Sequence, residues 1–300
     1  STAFQITITG SSFSFLNDHA STTDTYNYNV DCNSDGATDG AGIQAGFTCT
    51  YPTNATYTLS ITGVLPTFRA DTTDASKVNT IKQWGNNKWT SLKDTFKDNT
   101  NLTSIDTNAS TPNLTTTTSL AGMFSGATNF NANLNDWDLT NITTIQEMFK
   151  EATTFTSNLE NWNVSSVTNM EGAFSGATTF TSNLSDWNTS KVTTLKDTFK
   201  AATSLSTNVS NWDVSSVTNM DNTFSSASKL TGNNLSCWDI GSVTTHKDFS
   251  NNWGTGNTPP RWDGTTCAAH TTMDLSTAFQ ITITGSSFSF LNDHASTTDT

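Results

Sequence analysis

The segment Asp31-x-Asn33-x-Asp35-Gly36-x-x-Asp39 sets oxygen-bearing side chains at alternate positions around a turn glycine, as in loops that wrap calcium. A full calcium loop closes with a bidentate Glu at its twelfth position, and here Gly42 and Ile43 stand there instead. The residues therefore suggest a shorter, weaker calcium site, or else an acidic hairpin turn in which Asn and Asp serve because they tolerate turn geometry. Catalysis has less to work with. The histidines, His19, His246, His270 and His294, fall in no Ser-His-Asp or metal-ligand pattern. Paired carboxylates such as Asp136 and Asp138 would need to sit across a cleft to act on a glycoside. No catalytic or cofactor-binding residue is assigned, no enzymatic activity is expected, and calcium is the one cofactor the residues suggest.

Cys32, Cys49, Cys237 and Cys267 allow three pairings, of which Cys32–Cys49 and Cys237–Cys267 each close a short local loop. There is no CxxC spacing and no neighbouring His, which speaks against zinc and redox chemistry. Oxidised pairs imply an extracellular or cell-surface setting. With 13 Lys+Arg against 26 Asp+Glu, the net charge of -13 repels nucleic acid phosphates, so nucleic acid is not an expected partner. No apolar run approaches the ~18 residues that a membrane-spanning helix needs. Ten Asn-x-Ser/Thr acceptors, Asn54, Asn101, Asn108, Asn113, Asn141, Asn163, Asn183, Asn188, Asn208 and Asn234, would sit on exposed turns in a glycosylating host.

The calcium-like loop lies inside a strand-rich module. Residues 4 to about 67 alternate apolar and polar: Phe4, Ile6 and Ile8, then Phe13 and Phe15, then Tyr26, Tyr28 and Val30, then Tyr57, Leu59 and Ile61. Gly10, Asp35-Gly36, Asp39-Gly40 and Gly63 are the expected turns. Short strands at this spacing predict a β-sandwich. The segments YNYNVDCNSDG and ATYTLSITG resemble the polycystic-kidney-disease-type (PKD) or immunoglobulin-like domains of microbial surface proteins.

From Trp84 a second period takes over. Phe124, Phe149, Phe174, Phe199, Phe224 and Phe249 follow one another at twenty-five residues, as do Trp137, Trp162, Trp187 and Trp212, with Trp238 after twenty-six. Trp84 precedes Phe96 by twelve residues, which gives seven coils; the second is distorted, with Pro112 where its Trp is expected. A repeat of this length buries its apolar side chains only against the next copy, so a solenoid is predicted, with a short strand over 161–164 and a short helix or 3₁₀ turn over 169–176. At about 4.8 Å per stacked strand, seven coils make a rod of roughly 34 Å. The Trp column is expected in the core, since a Trp buries a large apolar area; the competing reading is a stacking platform for sugar rings. Beside it runs a polar column, Asp138, Asn163, Asn188, Asp213 and Asp239, expected to hydrogen-bond the neighbouring coil's backbone; Asn163 and Asn188 interrupt any cation-binding carboxylate row.

The pattern Trp-Asp/Asn-Val-Ser-Ser-Val-Thr-Asn-Met-x-x-x-Phe-Ser-Gly-Ala-x-x-Phe closely resembles the BspA-like leucine-rich repeat of microbial surface proteins. That resemblance implies an extracellular solenoid used for adhesion or surface architecture, and it carries over no activity and no ligand residues. The expected fold is thus mainly β with short helices: an immunoglobulin/PKD-like sandwich over 1–67, a connector over 68–80, the solenoid with its C-terminal cap over 81–267, and a linker over 268–275. Residues 276–300 then repeat residues 1–25 letter for letter, which reads as the start of the next identical unit in a tandem or filamentous array. The expected function is a non-enzymatic unit of a surface fibre, stalk or filament whose partners are copies of itself. The alternative is an adhesin whose solenoid binds a host protein or glycan.

Overall fold

Phe4, Ile6 and Ile8 carry even numbers and Phe13 and Phe15 odd ones, yet all five are buried on one side of a single strand. Only a one-residue slip reconciles two parities on one face, and the register shifts between Gly10 and Ser12. The computed structural model describes residues 3–16 and 24–265. Its first strand, β1 (Phe4–Leu16), therefore runs straight through Gly10, where a turn is expected from sequence. It pairs antiparallel with β4 (Phe47–Val64), Phe4 opposite Ile61 and Phe15 opposite Phe47. Between them in sequence lie β2 (Asn27–Asp31) and β3 (Gly40–Ile43). β4 likewise continues through Gly63, whose φ of +101° and 2.5 Å approach of a notional Cβ to the Asn27 carbonyl admit only glycine beside β2. The 68–80 connector carries β5 (Arg69–Ala70), a 3₁₀ turn (Ala75–Lys77) and the start of β6 (Val78–Gln83).

These strands share one sheet in the order β3-β2-β4-β1-β6-β7, with β5 also on β1. β7 (Ser104–Ile105) already belongs to the first coil and pairs parallel to β6, so the sheet leads directly into the repeats. From there each coil touches the next at one parallel bridge: Ser119 to Thr144, Thr144 to Asn169, Asn169 to Thr194, Thr194 to Asn219, Asn219 to Thr245. The protein is mainly β with almost no helix. Within 169–176, where a short helix or 3₁₀ turn is expected, residues 171–176 are a run of turns, and 162–164 form no strand, because the bridge falls at Asn169 instead. The physical reason is where the amides go. Alternate amides leave the coil, Phe149 N–H donating to Ala173 in the next coil, Phe174 to Thr198 and Phe199 to Thr223 (2.8–2.9 Å), while those between, such as Ala173 to Met170 and Ser175 to Gly172, close single i→i−3 turns, so no continuous helical ladder forms.

The core is one continuous cluster running from β1 to Phe249. Phe96, Phe124, Phe149, Phe174, Phe199 and Phe224 form a stack with ring centroids 5.5–5.9 Å apart. A second stack, Phe130, Phe155 and Phe180, lies beside it, each ring 4.0–4.3 Å from a ring of the first. Phe249 ends the first stack edge-on to Phe224. At the other end Trp84, Trp89, Phe96 and Phe68 close against Phe4 of β1, which joins the sheet's core to that of the coils.

Candidate functional site

In the acidic loop the carboxylates are spent on the chain itself. Asp31 accepts the N–H groups of Asn33 and Gly36, Asp35 accepts that of Ala37, and Asp39 accepts that of Cys32. The Ala37 N–H, helped by the Asn33 amide, holds the Asp35 carboxyl below the usual carboxylate range. This is the hydrogen bonding of Asx turns. Among the described residues no three His, Cys, Asp or Glu side chains are grouped to hold a metal. Cys32 and Cys49 are disulfide-bonded, with Cα atoms 5.7 Å apart, pinning β2 to β4. Cys237 is disulfide-bonded too, and Cys267, the partner expected for it, lies outside the described residues. So do His19, His270, His294 and residues 276–300. His246 stacks flat on Trp262, 4.0 Å between centroids. Of the ten sequon asparagines nine are exposed and Asn113 is half-buried.

The Trp column is buried: Trp84 is fully enclosed, and Trp137, Trp162, Trp187, Trp212 and Trp238 are 3–5% exposed. Indole N–H groups fasten neighbouring coils, Trp162 donating to the Leu134 carbonyl, Trp187 to Leu159, Trp212 to Leu184 and Trp238 to Val209 (2.7–3.2 Å). The polar column behaves differently from expectation. Asp138, Asn163, Asn188, Asp213 and Asp239 each accept the N–H two residues further along their own coil, not the backbone of a neighbour. The short carboxylate and carboxamide side chains reach the next turn more readily than they reach across. The Thr140 and Ser215 hydroxyls, with their backbone N–H groups, hold the pKa values of Asp138 and Asp213 below the usual carboxylate range. Bonds between coils come instead from threonine. Thr143, Thr168, Thr193, Thr218 and Thr244 each donate to a carbonyl of the preceding coil.

One feature went unread in the sequence: the coils alternate. Asp94, Gly122, Glu147, Gly172, Asp197, Asn222 and Asp248 share a left-handed backbone column, φ 52–63°. The acidic member carries a lysine three residues on, Asp94 with Lys97, Glu147 with Lys150 and Asp197 with Lys200. The intervening coils carry Ser125, Ser175 and Ser225 there. Packing dictates the order. The acidic side chain leans on the next coil, where a Cβ on Gly122 would stand 2.1 Å from the Asp94 carboxylate and one on Gly176 would stand 2.7 Å from that of Glu151. The true period is thus two coils, visible in retrospect as FKEAT and FKAAT alternating with FSGAT and FSSAS. Lys196 and Glu171 bridge the two coil types at 2.7 Å.

Fold and columns together describe a mainly β protein whose successive repeats are bonded to one another by main chain, threonine and indole. The chain belongs to the family described as Mycoplasma protein of unknown function, DUF285, whose profile matches twice, over residues 67–187 and 153–262. No curated protein and no solved structure is significantly similar to it.

Proposed function

We propose that this chain is a structural, non-enzymatic protein of the extracellular surface, a repeating unit of a fibre, stalk or filament. The observation that carries the reading concerns β1. Its thirteen residues lie between β4 and β6, with five apolar side chains buried, and an identical segment recurs at 279–291. A lone strand cannot fold. The β1 place in this sheet is filled, and the β4 and β6 segments that complement this sequence belong to the same unit, which supports pairing between copies of the unit. The disulfide-bonded cysteines fit an oxidising compartment. The parallel bridges at steps of 25 and 26 residues support a BspA-like solenoid of about seven coils. The immunoglobulin- or PKD-like description of the first module rests on its strand pattern; its described strands form one sheet.

Mass measurement of native material under denaturing, reducing conditions tests this reading. Species well above 32.3 kDa, spaced by one unit, are expected for a covalent array. A species at 32.3 kDa that assembles only under native conditions would select neighbouring subunits. A protein that stays monomeric in both settings would end the fibre reading.

A further inference from the structure

The contact between the coil of Phe96 and the coil of Phe124 matches the later ones in its main chain and differs from them in its side chains. Leu92, Asp94, Phe96 and Asp98 donate their N–H groups to Ser119, Ala121, Met123 and Ser125, as each coil does to the next. Two further ties, present at the four contacts that follow, are missing here. Trp162, Trp187, Trp212 and Trp238 each bond the coil before them through the indole N–H, whereas the Trp137 indole makes no such bond among the described residues. Ser157, Ser182, Thr207 and Asn233 clamp the coil before them by accepting the N–H of Leu134, Leu159, Leu184 and Val209. Two residues after Phe130, where that clamp belongs, stands Ala132, which has no side-chain oxygen to offer. With both ties absent, the two coils stand apart around a cleft of about 410 Å³ between residues 104–111 and 131–137. Side chains on either wall of such a gap forfeit packing partners.

A second, independent set of observations falls on the same coil. Among the described residues, every buried side-chain nitrogen or oxygen without a hydrogen bond lies between Trp84 and Asn99: Trp84 Nε1, Asn87 Nδ2, Trp89 Nε1, Thr95 Oγ1 and both amide atoms of Asn99. Asn99 is fully enclosed. Its place, three residues after the Phe, is held in the later coils by Ala127, Ala152, Ala177, Ala202 and Ala227. Thr95 stands one residue before its Phe, like Thr198 and Thr223. Those two donate to the Met170 and Leu195 carbonyls of the coil before them, and Thr95 has no earlier coil to reach. Polar groups buried without partners have given up their water for no bond, so an opening that wets them again is favoured.

Fewer ties hold this contact, and more is regained when it opens. We propose that it is the unit's yield point, at which the sheet and the coil of Phe96 part from the rest of the stack before any of the later coils separate. Proteins open locally in cooperative units, and the opening begins where buried contacts are fewest. Asn99 sets the threshold, because an alanine there would leave no amide to rehydrate. The contact is thus a conformational device built into the fold: it lets the two parts of the unit give way to one another while the Phe and Trp columns beyond Phe124 stay intact. This inference stands apart from the fibre reading, since a monomer would open at the same contact and a fibre would remain one without it.

Native-state hydrogen exchange of the full chain, read by NMR or by mass spectrometry of short peptides, tests the proposal. The N–H groups of Asp94, Phe96 and Asp98 should exchange about tenfold or more faster than those of Glu147, Phe149 and Glu151, which make the same bonds two coils further on. Asn99→Ala, which gives the coil the residue of its successors, should slow the first set about tenfold and leave the second unchanged. Ala132→Ser, which returns the clamp, should act in the same direction. Equal protection at the two contacts would overturn the assignment. Faster exchange in Asn99→Ala would do so too, because the amide would then be holding a bound water or another partner that closes the contact. Indifference to both substitutions would be equally fatal.

Discussion

Replacing Phe174 by Ala strikes the stack at its middle. Its ring is fully buried, 5.5 Å from both Phe149 and Phe199, 4.3 Å from Phe180 and 6.2 Å from Trp187. Truncating a fully buried Phe costs about 3–5 kcal/mol through lost transfer energy and the cavity left behind. Each aromatic pair adds roughly 0.5–1.5 kcal/mol beyond area. The turn backbone around the ring is held to the coils on both sides, with Phe149 N–H on the Ala173 carbonyl and Phe174 N–H on that of Thr198, so collapse to fill the void is restricted. We therefore expect a loss near the top of the range, about 4–5 kcal/mol. In a domain of this size that lowers the melting temperature by on the order of 10 °C. Urea unfolding followed by far-ultraviolet circular dichroism reads the loss, and Phe174→Leu, which keeps most of the volume, should cost about 1.5 kcal/mol or less. A loss below about 1 kcal/mol for Phe174→Ala would mean that the rings do not share a core between coils.

Three further outcomes follow from the same geometry. Iodide should quench little of the native tryptophan emission, because the repeat indoles are at most 5% exposed; ready quenching would place the column at the surface. Gly176→Ala should cost about 1–2 kcal/mol from its left-handed backbone, φ +72°, and the Cβ would press on the Glu151 carboxyl, a cost measurable by thermal unfolding and absent at Ala201, which already adopts φ +56°. The carboxyls of Asp138 and Asp213 have lowered folded-state pKa values, set first by the Thr140 and Ser215 hydroxyls. Their stabilisation is full above the unfolded value of about 3.9 and is lost as pH falls through the lower folded values, so Asp138→Asn should flatten the acid limb of a stability profile while leaving neutral pH nearly unchanged.

The long-range order of this fold was legible where side chains must be large and apolar. Phe149, Phe174 and Phe199, with Trp162, Trp187 and Trp212, recur because each coil must fill the same large buried space against the next, and the columns stand as the period predicts. Local geometry was less legible. Residues 169–176 carry helix-compatible types, but every second amide is drawn to the adjacent coil, a competition that no window of one coil reveals. Gly10 reads as a turn unless the parity of Phe4 and Phe13 is compared across it, which exposes the bulge. The acidic loop showed its oxygens clearly, whereas their partners, the N–H groups of Cys32, Asn33, Gly36 and Ala37, carry no side-chain signal at all. The two-coil alternation was present in the letters but hidden by the stronger single-coil rhythm of Phe and Trp.

Electron microscopy of native material tests the central claim most directly. If the second copy of β1 opens another unit, filaments or stalks should show a regular axial repeat, and a label directed at the coils should recur once per repeat. Isolated particles of the size of one unit, with no axial order under conditions that preserve the disulfides, would contradict the account.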